Sequence, residues 1–334
     1  MDFKVSVIIP VYNAQLYLEK AVLSATVLNE TGEVIIIDDG SIDHSIEIGK
    51  RLEKNQPKVK FLQHTDKKNH GVSASRNLGI ASAACPYVAF LDADDYYLLN
   101  RFRKDSLILK NQLEIDGVYN ALGITYYTQK GKDMFLNAGY KYQEFLTIER
   151  VVDPKELPLV LLKAHKVKGE FHGNCITVRR SVFEKTGNFN TNLMLNEDTH
   201  LWLRMSLKCK IVAGNITEAV AIRGVHDNNT MVHKEKQPNA NELWFKSLNT
   251  WINKNDIKNT YKAVFKKKYL SFIFKQKPLA KAFFPFLGYF FMNPKYIAEY
   301  YGFFDLSFLD LFGRNKVTFT LISVKNKFLQ INES

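Results

Sequence analysis

The feature that most narrows what this chain can fold into is a series of short apolar runs separated by longer amphipathic stretches. The runs Val5 to Ile9, Val34 to Ile37, Val59 to Leu62 and Tyr87 to Leu91 are rich in β-branched residues and show little polar alternation. Strands of that kind are covered on both faces, as in parallel sheets. Between them, stretches near Gln15 to Val27, Asp43 to Glu53 and Val72 to Ala83 have helical character. The resulting βαβαβαβ order predicts an α/β domain with a mostly parallel, doubly wound sheet. Ligands of such sheets bind beyond the carboxyl ends of the strands.

The loops that leave those ends carry Pro10-Val11-Tyr12-Asn13, Asp38-Asp39-Gly40-Ser41 and Asp92-Ala93-Asp94-Asp95. The last follows the apolar Tyr87 to Leu91, so three carboxylates emerge together and repel one another. A divalent cation relieves that repulsion, and oxygen ligands suit Mg2+ or Mn2+, which bind phosphates through one or two carboxylates. A lone acidic turn is explained by solvation. Three ligand-capable loops on one sheet edge favour a binding site. The second loop also has a plain structural use, with Ser41 or Asp43 capping the next helix. No Gly-x-Gly-x-x-Gly or Walker-type glycine loop follows the first strand, which argues against a dinucleotide dehydrogenase or a P-loop enzyme.

With 46% hydrophobic and 24% charged residues among 334, the composition is that of a globular protein of one large or two smaller domains. Cys85, Cys175 and Cys209 lack Cys-x-x-Cys spacing, which suggests reduced thiols in a cytoplasmic compartment rather than a disulfide framework or a thiolate metal site. The first residues show no signal-peptide pattern, so secretion is not expected. The net charge of +12 is uneven, since Trp251 to Ser334 hold 14 Lys and Arg against 5 Asp and Glu.

Beyond Asn120 the pattern weakens up to His172, with a helix expected near Pro154 to Lys163. Cys175 to Val178 then reads as a strand, Arg180 to Lys185 as a short helix, Gly187 to Asn190 as a turn and Glu197 to Leu207 as an amphipathic helix. Glu197 and Asp198 fall in the first turn of that helix, where acids complement its dipole. From Tyr261 to Phe312, aromatic residues are interspersed with lysines such as Lys266, Lys267, Lys268, Lys275, Lys277 and Lys281. This pattern predicts a helical, aromatic-rich extension that either lies on an anionic membrane surface or packs on the preceding domain. Its longest uncharged stretch, Ala282 to Pro294, is shorter than the roughly 20 residues needed to span a bilayer. No nucleic-acid-binding module is recognisable, and nucleic acid is not expected as a partner.

Taken in order, Pro10-Val11-Tyr12-Asn13, Asp38-Asp39-Gly40-Ser41-x-Asp43, Gly71-Val72-Ser73-Ala74-Ser75-Arg76-Asn77-x-Gly79, Asp92 to Asp95, Glu197-Asp198-x-x-Leu201-Trp202-x-Arg204 and Arg223-x-x-His226 resemble the family 2 glycosyltransferases of GT-A fold. The resemblance implies a catalytic domain over residues 1–230 and leaves 231–334 as the basic, aromatic-rich region. It implies that Pro10, Tyr12, Asn13, Asp39 and Ser41 hold the nucleoside, with Tyr12 stacking on a base and Asp39 accepting from an imide N–H. Arg76 and Asn77 are then expected near the nucleotide or its phosphates. Asp92 is expected near the ribose or sugar, and Asp94 on a Mn2+ or Mg2+ ion whose shell His226 completes. Asp198 is implied as the general base, with Glu197 and, less directly, Trp202 near the acceptor. Trp202 also fits a core position beside Leu201, Leu203 and Leu207.

The implied reaction is inverting transfer of a hexose or N-acetylhexosamine from a UDP-sugar to a glycan or lipid-linked glycan hydroxyl. Cell-surface polysaccharide assembly, peripheral to the inner face of the plasma membrane, is the implied setting. Two other readings stay open: another nucleotide-diphosphate-using transferase on the same scaffold, and a non-catalytic sugar-nucleotide or membrane-binding module.

Overall fold

The computed structural model describes residues 3–137, 146–227, 229 and 239–276. The first part runs β1 (Val5–Val11), α1 (Leu18–Thr26), β2 (Thr31–Asp38), α2 (Ser45–Asn55), β3 (Val59–Gln63), α3 (Val72–Ser82) and β4 (Tyr87–Phe90). It continues with β5 (Tyr96–Tyr97), α4 (Arg103–Asn111), β6 (Gly117–Tyr119), β7 (Ala121–Tyr126), α5 (Gln129–Asn137) and α6 (Leu157–Leu161). Then come β8 (Ile176–Arg179), α7 (Val182–Thr186), α8 (Glu197–Lys208), β9 (Ile211–Ala213), β10 (Ala219–Val225), α9 (Ala240–Lys254) and α10 (Asn259–Gln276).

The apolar runs form one side of a seven-stranded sheet of order β3-β2-β1-β4-β8-β6-β9, with β3 at its edge. Strands β3, β2, β1 and β4 are parallel, with Ile8 beside Phe90 and Val11 beside Asp38. Strand β8 is antiparallel to both β4 and β6. The mostly parallel α/β architecture expected from the apolar runs is therefore present, and α9 and α10 supply a helical C-terminal region.

Burial explains why the runs lack alternation. Val7, Ile9, Val34 and Ile36 pack with Leu18, Ala21 and Val22 of α1 on one face of the sheet. Ile8, Ile35, Ile37, Val88 and Phe90 pack with Ile80 of α3 and with Leu201, Trp202 and Met205 of α8 on the other. Each fully buried Ile or Val stabilises the fold by about 1.5–3 kcal/mol, so neither face can be polar. Helix α3 approaches β1 closely enough that a Cβ at Gly79 would clash with Ile8.

Two departures from the sequence reading are local. Helices α1 and α2 begin two to three residues later than expected, because the preceding residues bond across to one another. The segment after Asn120 is less irregular than it reads: β7 lies in a second sheet, β5-β10-β7, parallel to β10. Among the described residues no helix is long and apolar enough to cross a membrane. The stretch Ala282 to Pro294 and the rest of the aromatic tail beyond 276 lie outside the described residues.

Candidate active site

The β1–α1 and β2–α2 loops are joined by reciprocal side-chain to backbone bonds. The Asn13 N–H donates to Ser41 Oγ at 3.0 Å, and the Ile42 N–H donates to Asn13 Oδ1 at 2.9 Å. Ser45 Oγ accepts from Ala14, Asp43 from Gln15, and Gln15 Oε1 from His44. Asn13 takes a left-handed φ of 52°, a conformation Asn tolerates better than most residues. Asn13 and Ser41 thus hold the two loops in register, and Tyr12 beside them is 52% exposed, its ring open to a ligand. Pro10 sits within β1, one residue before its end.

Asp39 is buried and ties a third loop to this edge. Its two oxygens accept from the N–H groups of His70 at 2.8 Å and Gly71 at 2.9 Å, and His64 Nε2 lies 3.3 Å away. Gly71, which precedes α3, has φ 86°, a backbone that favours glycine. The Asp39 oxygen that accepts from Gly71 keeps a lone pair for a ligand, while the other already faces both His70 and His64.

At the end of β4 the three carboxylates point to different partners. Asp92 accepts from Arg76 NH2 at 2.8 Å, and its own N–H donates to Asn174 Oδ1 at 3.0 Å. Burial pushes the Asp92 carboxyl upward, but the Arg76 guanidinium outweighs it and holds it below the usual range. Asp94 Oδ2 meets His226 Nε2 at 3.1 Å and accepts from Asn229 Nδ2 at 3.0 Å. The His226 ring stacks on Tyr17 with centroids 4.8 Å apart. Asp95 is 3% exposed and accepts from the Gly224 N–H at 2.8 Å and from Asn174 Nδ2. Burial, with Asp94 and Asp92 adjacent, raises the Asp95 carboxyl well above its ordinary value.

Ligand atoms of Asp92, Asp95 and His172 lie within 4.8 Å of one another. Burial and Arg223 lower the His172 imidazole, which favours the neutral form that ligates metals. Carboxylate oxygens with one imidazole are a donor set that Mn2+ or Mg2+ accepts. The two candidate sets, Asp94 with His226 and Asp92 with Asp95 and His172, both draw on the loop after β4.

Arg76 joins this cluster to α8. Its guanidinium is 6% exposed, donates to Glu197 Oε1 at 2.9 Å as well as to Asp92, and lies 5.2 Å from the Phe189 ring centroid. Helix α8 opens behind Asn196 at φ 59°, which sets Glu197 and Asp198 in its first turn. Burial and the adjacent Asp198 raise the Glu197 carboxyl to about 7, against the pull of Arg76. Asp198 is half-buried, and its Oδ1 accepts from the Thr199 N–H at 2.6 Å.

Two expected site residues have other roles. Trp202 is 2% exposed and packs with Phe90, Phe171 and Phe189 at centroid distances of 6.1, 6.0 and 5.9 Å. It is core, because its ring is enclosed by those three aromatic side chains and has almost no surface left for an acceptor sugar. Asn77 uses its amide on both sides of Phe189, donating to the carbonyl and accepting from the N–H at 2.9 Å each. It therefore positions the turn before α8 rather than facing the nucleotide.

Sequence reasoning missed His172, Asn174 and Asn229, and it left Asp95 without a role. His172 and Asn174 reach the site because β8 is antiparallel to β4, so its start lies beside the end of β4. The missed signal was a polar His-Gly-Asn immediately before an apolar strand.

The sequence profile of Glycosyl transferase family 2 matches residues 6–187. An uncharacterized glycosyltransferase of Rickettsia bellii is 30% identical over 239 residues, covering 70% of this chain and 31% of that protein. One from Haemophilus influenzae is 40% identical over 114 residues, covering 33% of this chain and 44% of that protein. The chain thus spans less than half the length of these relatives. Among solved structures, residues 1–349 of Staphylococcus aureus TarS in complex with UDP-GlcNAc align with a TM-score of 0.63 at 17% identity, over 83% of this chain and 77% of that one. This likeness concerns the fold.

Proposed function

Because the chain belongs to glycosyl transferase family 2, we propose that it is a metal-dependent, inverting transferase that moves a hexose or N-acetylhexosamine from a UDP-sugar to a glycan or lipid-linked glycan hydroxyl. The observation that carries this reading is the Arg76 bridge: one buried guanidinium binds Asp92 of the β4 loop and Glu197 beside Asp198. Donor-side carboxylates and a candidate base are thereby fixed around a single cation. A solved relative of the same fold is in complex with UDP-GlcNAc, which supports a UDP-sugar donor here.

In this reading residues 1–230 carry catalysis. Tyr12 stacks on the base, and Asp39 accepts from its imide. Asp94 with His226, or Asp92 and Asp95 with His172, would hold Mn2+ or Mg2+, which when bound stabilises the charge that builds on the leaving diphosphate. Asp198 takes the proton of the acceptor hydroxyl as that oxygen bonds to the anomeric carbon, and attack opposite the leaving group inverts the centre. Positioned proton transfer of this kind contributes about 10²- to 10⁴-fold in rate. Glu197 orients Arg76 and the acceptor side. The lysines and aromatics of the 231–334 region support a peripheral position at the cytoplasmic face of a membrane, where a lipid-linked acceptor for surface polysaccharide would be met.

The test is nucleotide release from a panel of UDP-, GDP-, TDP- and CDP-sugars with Mn2+ or Mg2+, using wild type, Asp94→Ala and Asp198→Asn. Release from a UDP-sugar that EDTA and Asp94→Ala abolish, and that Asp198→Asn slows at least 100-fold with UDP affinity kept, is expected. No metal-dependent UDP binding and no release from any donor would refute the transferase reading in favour of a binding module.

A further inference from the structure

On the other side of α8 from the carboxylates, α8, α9 and the Asn190 to Leu193 loop enclose a groove of about 510 Å³. His200, which lines it, stands about 200° around the helix from Asp198, at 100° per residue. The groove is therefore separate from the reaction site. Among the described residues no Asp or Glu lines it.

Its inner wall holds two side chains that the described residues leave partly unsatisfied. Arg204 is 4% exposed; its two terminal nitrogens donate to the carbonyls of Thr186 and Asn188 at 2.7 Å, and its Nε has no hydrogen-bond partner among the described residues. Burial lowers the guanidinium only to about 10, so it stays charged at neutral pH. Among the described residues no carboxylate pairs with it. His200 is 2% exposed, and neither ring nitrogen has a hydrogen-bond partner among the described residues. Burial, then Arg204, lowers it to about 3, so it is a neutral imidazole with one donor and one acceptor unused. Buried polar groups are ordinarily satisfied and buried charges ordinarily paired.

The rim extends the same chemistry. Lys246 and Lys254 are exposed there, and the half-buried Trp251 ring has the Arg204 guanidinium 5.9 Å from its centroid. Lys246 bonds Glu242 at 2.6 Å on the surface, the kind of exposed pair that is worth little and exchanges readily. A flat aromatic face suits the apolar face of a sugar ring, and unused imidazole positions suit a hydroxyl. A buried cation without a counter-ion suits a carboxylate or phosphate.

We infer that this groove binds an anionic glycan, with its acidic group toward Arg204 and the rim lysines, a sugar hydroxyl at His200 and a ring on Trp251. A chain held there is anchored on the opposite side of α8 from the reaction site, which keeps a polymer on the protein between encounters.

The full chain would be titrated calorimetrically with tetragalacturonate, mannose 6-phosphate and neutral chitotetraose. At least one anionic probe binds ten times more tightly than chitotetraose, and the choice between the two identifies carboxylate or phosphate as the group read. The double charge reversal Lys246→Glu, Lys254→Glu on exposed positions removes that preference at least tenfold, while UDP affinity and the circular dichroism spectrum stay as in wild type. The inference is overturned if no probe binds, if chitotetraose binds as well as both anions, or if charge reversal changes affinity less than twofold. Loss of UDP binding in wild type would count against the transferase reading alone.

Discussion

The most exposed consequence of the structure for stability lies beneath the site, in a buried ion pair. Arg101 and Asp105 are both 0% exposed. Arg101 donates to Asp105 at 2.9 Å, to Thr177 Oγ1 at 3.1 Å, and to the carbonyls of Asn174 and Ile176 at 2.9 Å each. Asp105 also accepts from Thr177 Oγ1 at 2.6 Å and from Asn120 Nδ2 at 2.9 Å. Asp105→Ala strips the carboxylate from three donors and leaves a guanidinium buried without a counter-charge. Removing one partner of such a pair costs about 3–5 kcal/mol, whereas replacing both by apolar residues of similar size is often close to neutral. With a urea dependence of about 3 kcal/mol/M, the midpoint of Asp105→Ala falls by about 1–1.7 M. Arg101→Met with Asp105→Leu recovers most of that loss. Because Arg101 holds the carbonyl of Asn174, whose amide fixes Asp92 and Asp95, the double variant should regain stability without regaining full turnover. Urea denaturation followed by circular dichroism, paired with nucleotide release, measures both. Equal midpoints for the single and double variants would refute the reasoning, since the cost would then be ordinary cavity formation rather than an orphaned charge.

Two further outcomes follow from the site. Tyr12→Ala removes a stacking surface worth about 1–3 kcal/mol per base, so UDP affinity falls about 5- to 150-fold while Tyr12→Phe stays near wild type; unchanged calorimetric affinity for both would exclude Tyr12 from the nucleoside site. For Glu197, raised from 4.5 to about 7 by burial and Asp198, the folded protein keeps a proton that the unfolded chain releases, so stability falls as pH rises from about 4.5 through about 7. Glu197→Gln lacks that slope, and its melting temperature gains on wild type between pH 5 and 8; parallel curves for the two proteins would show that Glu197 is ionised throughout.

What the sequence made legible is what local pattern encodes. Strands β1, β2 and β4 stood out because both faces are buried, and the Asp92 to Asp95 loop because a carboxylate trio after an apolar run has few structural uses. Strand β7 was obscure because its partner in the sheet, β10, is set by tertiary pairing across about a hundred residues. His172 and Asn174 were obscure for the same reason: their nearness to Asp92 depends on the antiparallel placement of β8, which no spacing announces. The core place of Trp202 was legible from Leu201, Leu203 and Leu207 beside it, whereas the bonds of the Asn77 amide to Phe189 were not, because a sequence pattern shows which residues accompany a site but not which way a side chain turns. The loop bonds of Asn13, Ser41 and Asp43 were visible as turn chemistry, though not that they bind to one another across two loops.

Arg76 also bears on how such a site can change over generations. A single buried cation answers to Asp92 on one side and Glu197 on the other, so losing either acid leaves its charge to the survivor, and losing Arg76 sets two buried carboxylates against each other. Substitutions at these three positions are coupled, and their effects should be far from additive. Drift toward a different donor or acceptor is then easiest at the flanks, at Tyr12 or along the groove of α8 and α9, where one residue can be exchanged without consulting the others.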